Sequence, residues 1–166
     1  MRARFRIALL AAWSGSLIAY ALLAIAPAFE VGLPSHLAAD LLRRGFDGLD
    51  RAGMLAGILC ALLSLPDARQ GRRSGDWLRT MIPLLASVGH ALSFFWITPE
   101  LSALRHAAGG SVGQLATGDP GLARFASLHQ LSRTLYVSAA FMSLGCCLWD
   151  IFAAHPIKRS PDAAPS

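Results

Sequence analysis

The side chains best suited to chemistry in this sequence are ionisable residues inside, or directly beside, long apolar segments. His90 lies in the middle of one such segment, and Ser87 and Ser93, three residues to either side, make one helical stripe polar. An ionisable group inside a membrane-spanning helix costs roughly 2.5–3.5 kcal/mol on insertion scales, so its presence needs a reason. His90 is either a ligand or proton-relay group facing a bundle interior, or a neutral histidine hydrogen-bonded to a neighbouring helix.

A second set of polar residues lies where two of the apolar segments begin. Asp47, Asp50 and Arg51 precede the second segment, and His129 and Arg133 precede the fourth. Arg133 with Asp50, or Arg51 with Asp47, would form ion pairs in a partly dry environment. This set is either an outward-facing site for a small ligand or ion, or a structural network that locks two helical hairpins together. The candidate polar site therefore comprises His90, Asp47, Asp50, Arg51, His129 and Arg133.

Metal, haem and hydrolytic chemistry find less support in the sequence. His36, His106 and His129 lie on one expected side, and imidazole suits copper or zinc, but no tight His-x-x-x-His spacing occurs. His90 and His129 are expected at depths about 15 Å apart, which does not suit two axial ligands of one haem. Hydrolase signatures, phosphate loops and paired catalytic carboxylates are absent from the sequence. We therefore assign no catalytic residue, metal ligand or cofactor and expect a non-enzymatic protein.

Four long apolar segments must position these residues. The segment from Ile7 to Phe29 contains no charged side chain, and about 20 apolar residues are enough to cross a bilayer. The sequence predicts membrane spans at about residues 7–29, 46–65, 78–98 and 130–152. The second span has an uncharged core of only 14 residues, so its helix must extend upstream past Arg51. Since helices satisfy their own backbone groups in lipid, we predict an all-α, integral membrane four-helix bundle.

The composition supports this class. Hydrophobic residues make up 54% of the 166 residues and charged ones only 15%, and the arginines behind the net charge of +5 cluster beside the apolar segments. That distribution excludes nucleic acid as a partner and makes the lipid bilayer the expected one, while a homo-oligomer or a membrane-protein partner stays open. We predict one transmembrane domain over residues 1–155 and a disordered cytoplasmic tail over 156–166. The first segment is longer than a signal-peptide core, which favours an uncleaved span.

The distribution of basic residues predicts the orientation. Nine arginines and lysines lie at the N-terminus, between spans 2 and 3, and in the tail, against six on the opposite side. The positive-inside rule then places both termini in the cytoplasm, and we expect a multi-pass protein of a bacterial inner membrane. The four tryptophans lie near span ends and are expected to act as interfacial anchors: Trp13, Trp77, Trp96 and Trp149.

The segments between the spans carry weaker signals. Residues 34–45 predict a short amphipathic helix, capped by Ser35, that lies at the interface or leads into span 2. Pro66 is expected to end span 2. Residues 101–127 are rich in glycine and predict a flexible loop with a short helical start.

Small residues in the spans predict close helix contacts. Gly53 and Gly57 have the spacing that lets a second helix approach, and we expect that helix to belong to the same chain. Spans 1 and 3 both end in a proline followed by an acid, and spans 2 and 4 both begin with Phe-x-x-Leu. The bundle is therefore either two repeated helical hairpins or a chance likeness of apolar helices. Three cysteines, inside apolar segments, are expected to pack as small apolar residues, with a redox pair left open: Cys60, Cys146 and Cys147.

Several short motifs resemble a known family. They are Trp13-Ser14-Gly15, Pro27, the segment 38–46 (AADLLRRGF), Thr98-Pro99-Glu100 with Leu104-Arg105, and the segment 128–132 (LHQLS). Over about residues 7–152 the chain resembles the four-span family called domain of unknown function 4149, related to transmembrane-protein-205-like proteins. The resemblance implies an integral membrane protein of four helices and no established activity, so no functional residue follows from it.

Two functional hypotheses result. The leading one is a non-enzymatic membrane protein, a small transport or accessory component that uses the candidate polar site. The alternative is a metal- or redox-handling membrane protein that uses the outer histidines. A weaker similarity to membrane domains of copper-resistance proteins, through the Trp-x-Gly motif and the histidine-containing helices, belongs to that alternative.

Overall fold

The structure is almost entirely helical. It is a computed structural model that describes residues 1–25, 35–70, 75–110, 112, 115, 116 and 118–154, without the side chains of residues 24, 25, 35, 36, 39 and 154. The described residues form five α-helices, in chain order, and contain no β-strand. They are α1 (Arg2–Tyr20), α2 (Ser35–Gln70), α3 (Asp76–Leu92), α4 (Thr98–Ala107) and α5 (Pro120–Ala154). A π-helical turn, Ala21–Ile25, extends α1, and a second, Ser93–Ile97, joins α3 to α4.

Four helical segments are long and apolar enough to cross a bilayer. They are Arg2–Leu23, Asp40–Gln70, Asp76–Ala107 and Pro120–Ala153. Their outward surfaces carry large apolar side chains such as Leu55, Phe141 and Phe152, which lipid can solvate. The chain is therefore a multi-pass membrane protein, and the predicted four-helix membrane bundle is confirmed.

The four long helices form a ring in which each packs against two neighbours. Helix α2 packs against α3, α3 against α5, α5 against α1, and α1 against α2. Successive helices run in opposite directions, so the start of α1 and the end of α5 meet at one end, called here the N-terminal end. The opposite end, where α1 finishes and α2 begins, is called the distal end. The apolar core contains Leu10, Trp13, Leu17, Ala56, Cys60, Ala86, Ala139, Cys146 and Cys147.

Trp13 does not fit the expected role of an interfacial anchor. Its side chain is only 5% exposed and belongs to the core, whereas Trp77, Trp96 and Trp149 are exposed. Trp13 is buried although it lies near a span end, because it belongs to the apolar stripe of α1 that also carries Leu10 and Leu17.

Helix α2 is longer than the sequence predicted. The expected interfacial helix and span 2 form one continuous helix, so the amphipathic segment leads into the span. The expectation that Pro66 ends the span is wrong, since α2 continues to Gln70. Proline removes only its own N–H bond, and the burial of Ala68, at 2% exposure, shows that packing holds this last turn. Helix α4 confirms the predicted helical start after span 3, whereas the predicted loop through residue 127 is wrong at its end, because α5 begins at Pro120.

The glycines of α2 bring α3 very close. A side chain at Gly53 would overlap the ring of His90, and one at Gly57 would overlap the Pro83 carbonyl oxygen and Ser87. The predicted intramolecular role of this glycine pair is therefore confirmed. The expected cap at Ser35, the end of span 1 at Pro27 and the tail after residue 155 lie outside what the structure describes.

Candidate functional site

A carboxyl group and an imidazole face each other inside the bundle. Asp50 of α2 is 0% exposed and His90 of α3 is 2% exposed, although both are ionisable. His90 Nδ1 lies 2.9 Å from Asp50 Oδ1, a hydrogen bond between two neighbouring helices. The bare backbone at Gly53, one turn after Asp50, provides the space that the imidazole ring occupies. The close α2–α3 contact therefore places these two groups together.

Aromatic side chains from the other two long helices enclose the pair. The His90 ring lies 5.7 Å from the Trp13 ring of α1 and 5.4 Å, edge to face, from the Tyr136 ring of α5, measured between centroids. The Tyr136 hydroxyl donates a hydrogen bond to the Phe46 carbonyl oxygen at 3.2 Å and interacts with the Asp50 carboxyl. All four long helices thus contribute to one buried polar cluster.

Several polar atoms of this cluster have no hydrogen-bond partner. Within the described part of the chain, His90 Nε2 and Trp13 Nε1 have none, and Asp50 Oδ2 and Ser93 Oγ have none of ordinary geometry, although the Tyr136 hydroxyl interacts with both residues. By contrast, Ser87 donates a hydrogen bond of 2.8 Å to the Met54 carbonyl oxygen and so is occupied by the backbone. Buried polar atoms are paired in the great majority of cases, because desolvation without a partner is costly. The unpartnered atoms of Asp50 and His90 can still exchange a proton or contact water or a small polar ligand.

The other predicted residues of α2 lie on its outer surface. Asp47 pairs with Arg43 at 3.3 Å rather than with Arg51. Arg51 is exposed, and the carbon at the centre of its guanidinium lies 5.0 Å from the centroid of the Phe94 ring. Asp47 and Arg51 are therefore not in contact with the buried pair, although each lies within one helical turn of Asp50 on the same helix.

The predicted residues of α5 also lie apart from the buried pair. His129 is exposed and stacks on Phe125 with 6.1 Å between ring centroids. Arg133 is exposed, and among the described residues no ion pair joins it to Asp50. The expected Arg133–Asp50 pair is not formed, because His90 takes that place. Of the six candidate residues, the structure brings only Asp50 and His90 into direct contact.

A second buried polar cluster, called here the ionic clamp, lies at the N-terminal end. Arg6 of α1 donates two hydrogen bonds to the Asp150 carboxylate of α5, from Nε to Oδ2 and from Nη2 to Oδ1, each at 2.6 Å. Its third nitrogen, Nη1, donates to Ser64 Oγ of α2 at 2.5 Å. The two parallel bonds make this a bidentate pair, the strongest geometry for arginine and a carboxylate.

Helix α3 completes the clamp through Arg79. Arg79 Nη2 lies 3.2 Å from Asp150 Oδ1, and Nη1 lies 3.5 Å from Asp76 Oδ1, while Arg79 Nε has no partner among the described residues. The guanidinium also lies over the Trp149 ring, 5.8 Å from its centroid. The clamp comprises Arg6, Ser64, Asp76, Arg79 and Asp150, so it balances two positive against two negative charges and touches all four long helices.

The positions of these residues beside the apolar segments could have predicted the clamp, although a count of basic residues on each side does not use those positions. The positive-inside rule uses Arg6 and Arg79 only as markers of the cytoplasmic side, and it does not use Asp150. Arg6 and Arg79 directly precede apolar segments, and Asp150 directly follows one. Because the helices are antiparallel, all three residues lie at the N-terminal end at a similar depth. Opposite charges at a shared depth are expected to pair when water is scarce.

The described residues contain no group of three or more His, Cys, Asp or Glu side chains that could hold a metal ion. The metal-handling alternative depended partly on His36, whose side chain is not described, and it stays a prediction. Cys60, Cys146 and Cys147 are free and buried, in agreement with a packing role.

Comparison with protein families gives one match. The model of the family described as a domain of unknown function, DUF4149, matches residues 8–109. The chain belongs to this family. The matched range of this DUF4149 protein contains Asp50 and His90, whereas Arg6, Tyr136 and Asp150 lie outside it. No curated protein and no solved structure matches the chain.

Proposed function

We propose that this protein is a non-enzymatic membrane component, a small transporter or accessory subunit, in which the Asp50–His90 pair binds and releases a proton. The observation that carries the proposal is the complete burial of both groups with one hydrogen bond between them and an unpartnered atom on each. Each charged group of the ionic clamp contacts an opposite charge, whereas His90 is the one ion-pair partner that Asp50 has among the described residues. A buried carboxyl with so little compensation is costly if it serves stability alone. Intramembrane ionisable residues commonly mark ion or proton pathways.

The surroundings of the pair support proton exchange over nucleophilic chemistry. Imidazole and carboxyl groups in contact can hold one proton between them and accept a second. Tyr136 of α5 faces the pair, the Trp13 ring approaches from α1, and Asp47 and Arg51 lie on adjacent turns of α2. The Ser87 hydroxyl is directed to a backbone carbonyl, so it is not arranged as a nucleophile for His90.

Infrared difference spectroscopy tests proton binding directly. The protein, reconstituted in a lipid film, is titrated stepwise from alkaline to acidic buffer, and the spectra of successive steps are subtracted. We expect a protonated-carboxyl band in the wild type and in Asp67→Asn, an exposed control on the same helix, and its loss in Asp50→Asn. An Asp50→Asn spectrum identical to that of the wild type contradicts the proposal.

A flux assay then distinguishes a transporter from an accessory subunit. Liposomes with a trapped pH dye are given a potassium diffusion potential, and the internal pH is followed. A transporter acidifies or alkalinises the lumen faster than empty liposomes do, and Asp50→Asn abolishes the difference. An accessory subunit gives the infrared signal without the flux.

We also propose that the N-terminal end of the bundle is cytoplasmic, in a bacterial inner membrane. In the sequence, nine arginines and lysines belong to the N-terminus, the segment between spans 2 and 3, and the tail, against six in the segments on the opposite side. Basic residues favour the cytoplasmic side. A reporter that is active only in the periplasm, fused after residue 166, should stay inactive; activity there would reverse the orientation.

A further inference from the structure

A groove on the outer surface of the bundle lies where α3 passes into α4. Its volume is about 310 Å³, and it runs between one face of α2 and the start of α4. The groove is lined by Arg43, Asp47 and Arg51 on one side and by Phe94, Phe95, Thr98, Pro99 and Ser102 on the other. It is separate from the buried Asp50–His90 pair, so it can bind a ligand whatever the role of that pair.

The charge in this groove is not balanced. Arg43 is compensated by Asp47, with 3.3 Å between Nη1 and Oδ2. Arg51 has no ion-pair partner among the residues described, and its guanidinium rests on the Phe94 ring. The groove therefore offers one free positive charge held against an aromatic surface.

The groove combines polar and apolar surface. Thr98 and Ser102 lie four residues apart on α4 and both line the groove together with Arg51. Toward the middle of the bundle, Phe95 is 71% exposed and Trp96 is 48% exposed, which provides apolar surface for acyl chains. Along the direction of α3 and α4, the Arg51 guanidinium lies beside Phe94, the exposed rings of Phe95 and Trp96 follow, and Thr98 and Ser102 lie beyond them.

We propose that this groove binds the phosphate group of a phospholipid, with Arg51 as the main phosphate ligand. The planar guanidinium can donate two parallel hydrogen bonds to phosphate oxygens, a geometry that lysine or a neutral side chain does not reproduce. The negative phosphate complements the free charge of Arg51, while Thr98 and Ser102 donate to the remaining oxygens. The acyl chains then lie along Phe95 and Trp96.

The full-length protein, purified in detergent and stripped of lipid, provides the test. Native mass spectrometry measures the binding of a phosphatidylglycerol and of a diacylglycerol with the same acyl chains but no phosphate. Arg51→Gln should weaken phosphatidylglycerol binding by roughly tenfold, because bonds to charged groups are the strong ones. Arg133→Gln, an equally exposed arginine on α5, serves as the matched control and should bind as the wild type does.

Other outcomes overturn the proposal. Equal binding by Arg51→Gln and Arg133→Gln removes Arg51 as a ligand, and equal binding of diacylglycerol shows that only the acyl chains matter. Competition by millimolar inorganic phosphate would assign the site to a free anion instead of a lipid. Should Arg51→Gln not fold, Ser102→Ala keeps the charge and is expected to weaken binding about threefold; wild-type affinity in that variant contradicts the proposal.

Discussion

At the N-terminal end of the bundle two arginines and two carboxylates face one another, whereas deeper in the bundle one carboxylate faces one histidine. The ionic clamp joins Arg6, Asp150 and Arg79 through contacts of 2.6 to 3.2 Å and balances its own charge with Asp76. The Asp50–His90 pair has a single bond of 2.9 Å and keeps an unpartnered atom on each residue. Both clusters are buried, so burial alone does not separate a structural cluster from a functional one. The two clusters differ in their ion pairs: each charged group of the clamp contacts an opposite charge and, among the described residues, only Arg79 Nε lacks a hydrogen-bond partner, whereas Asp50 and His90 each leave one of two polar atoms without a hydrogen bond.

Removing one charge from the clamp should have the largest effect of any single substitution. Arg6→Ala leaves Asp150 buried beside Arg79 alone, and breaking a buried ion pair typically costs about 3–5 kcal/mol. We expect a clear drop in thermal stability in detergent. Arg4→Ala, an exposed arginine one turn away at most, is the control and should melt as the wild type does. Equal melting of both variants would show that the clamp contributes nothing.

The two aspartates provide the most direct comparison. Asp150→Asn removes the carboxylate that two arginines share and should cost roughly 3 kcal/mol. Asp50→Asn keeps the shape of the side chain and a hydrogen bond to His90, so its cost should be about 1 kcal/mol or less. Thermal melting of the two variants in the same detergent measures the difference. If Asp50→Asn is the more destabilising of the two, the Asp50–His90 pair is structural and the contrast between the clusters fails.

The glycines of α2 test how tightly the buried pair is held. Gly53→Ala places a methyl group against the His90 ring and should destabilise by about 1–3 kcal/mol, the usual cost of overpacking. Gly48→Ala has nothing within 4 Å and should be neutral or should stabilise by up to about 1 kcal/mol through helix propensity. Thermal melting in detergent compares the two variants. A Gly53→Ala variant as stable as Gly48→Ala would mean that the imidazole can leave its place at little cost.

Arg133 should have the smallest effect. Arg133→Ala removes an exposed side chain that does not pair with Asp50, so the change in the free energy of unfolding should stay within about 0.5 kcal/mol. A loss as large as that of Asp150→Asn would instead support the network between hairpins that the sequence left open. The same melting assay decides between these outcomes.

The membrane architecture can be predicted from the sequence because it depends on long-range composition. The length of each apolar segment identifies the spans. The uncharged core of span 2, which ends at Leu65, is too short to cross a bilayer, so α2 must extend upstream, as it does in the structure. Glycine spacing at Gly53 and Gly57 identifies the helix contact, because only glycine permits such close approach. These inferences rest on rules that hold whichever neighbour each helix chooses.

The polar contacts are less predictable because they depend on rotation and partner choice. Asp50, Arg51 and Arg133 lie at similar expected depth, and depth alone does not say which side chain faces inward. The close α2–α3 contact turns Asp50 toward His90 and leaves Arg51 on the surface. The clamp is difficult to predict for a different reason. The local sequence shows only that Arg6 and Asp150 each border an apolar segment, and their shared depth is what indicates that they can meet.

The clamp also fixes an order of events during synthesis. Arg6 belongs to α1, and its carboxylate partner in α5 is made 144 positions later. Until α5 is inserted, Arg6 must remain hydrated or be held by another group, since Asp150 is not yet there to meet it. Closure of the bundle therefore waits for the synthesis of α5, as expected of contacts between residues far apart in sequence. A variant that lacks α5 would leave Arg6 and Arg79 at the membrane boundary without the carboxylate that they share.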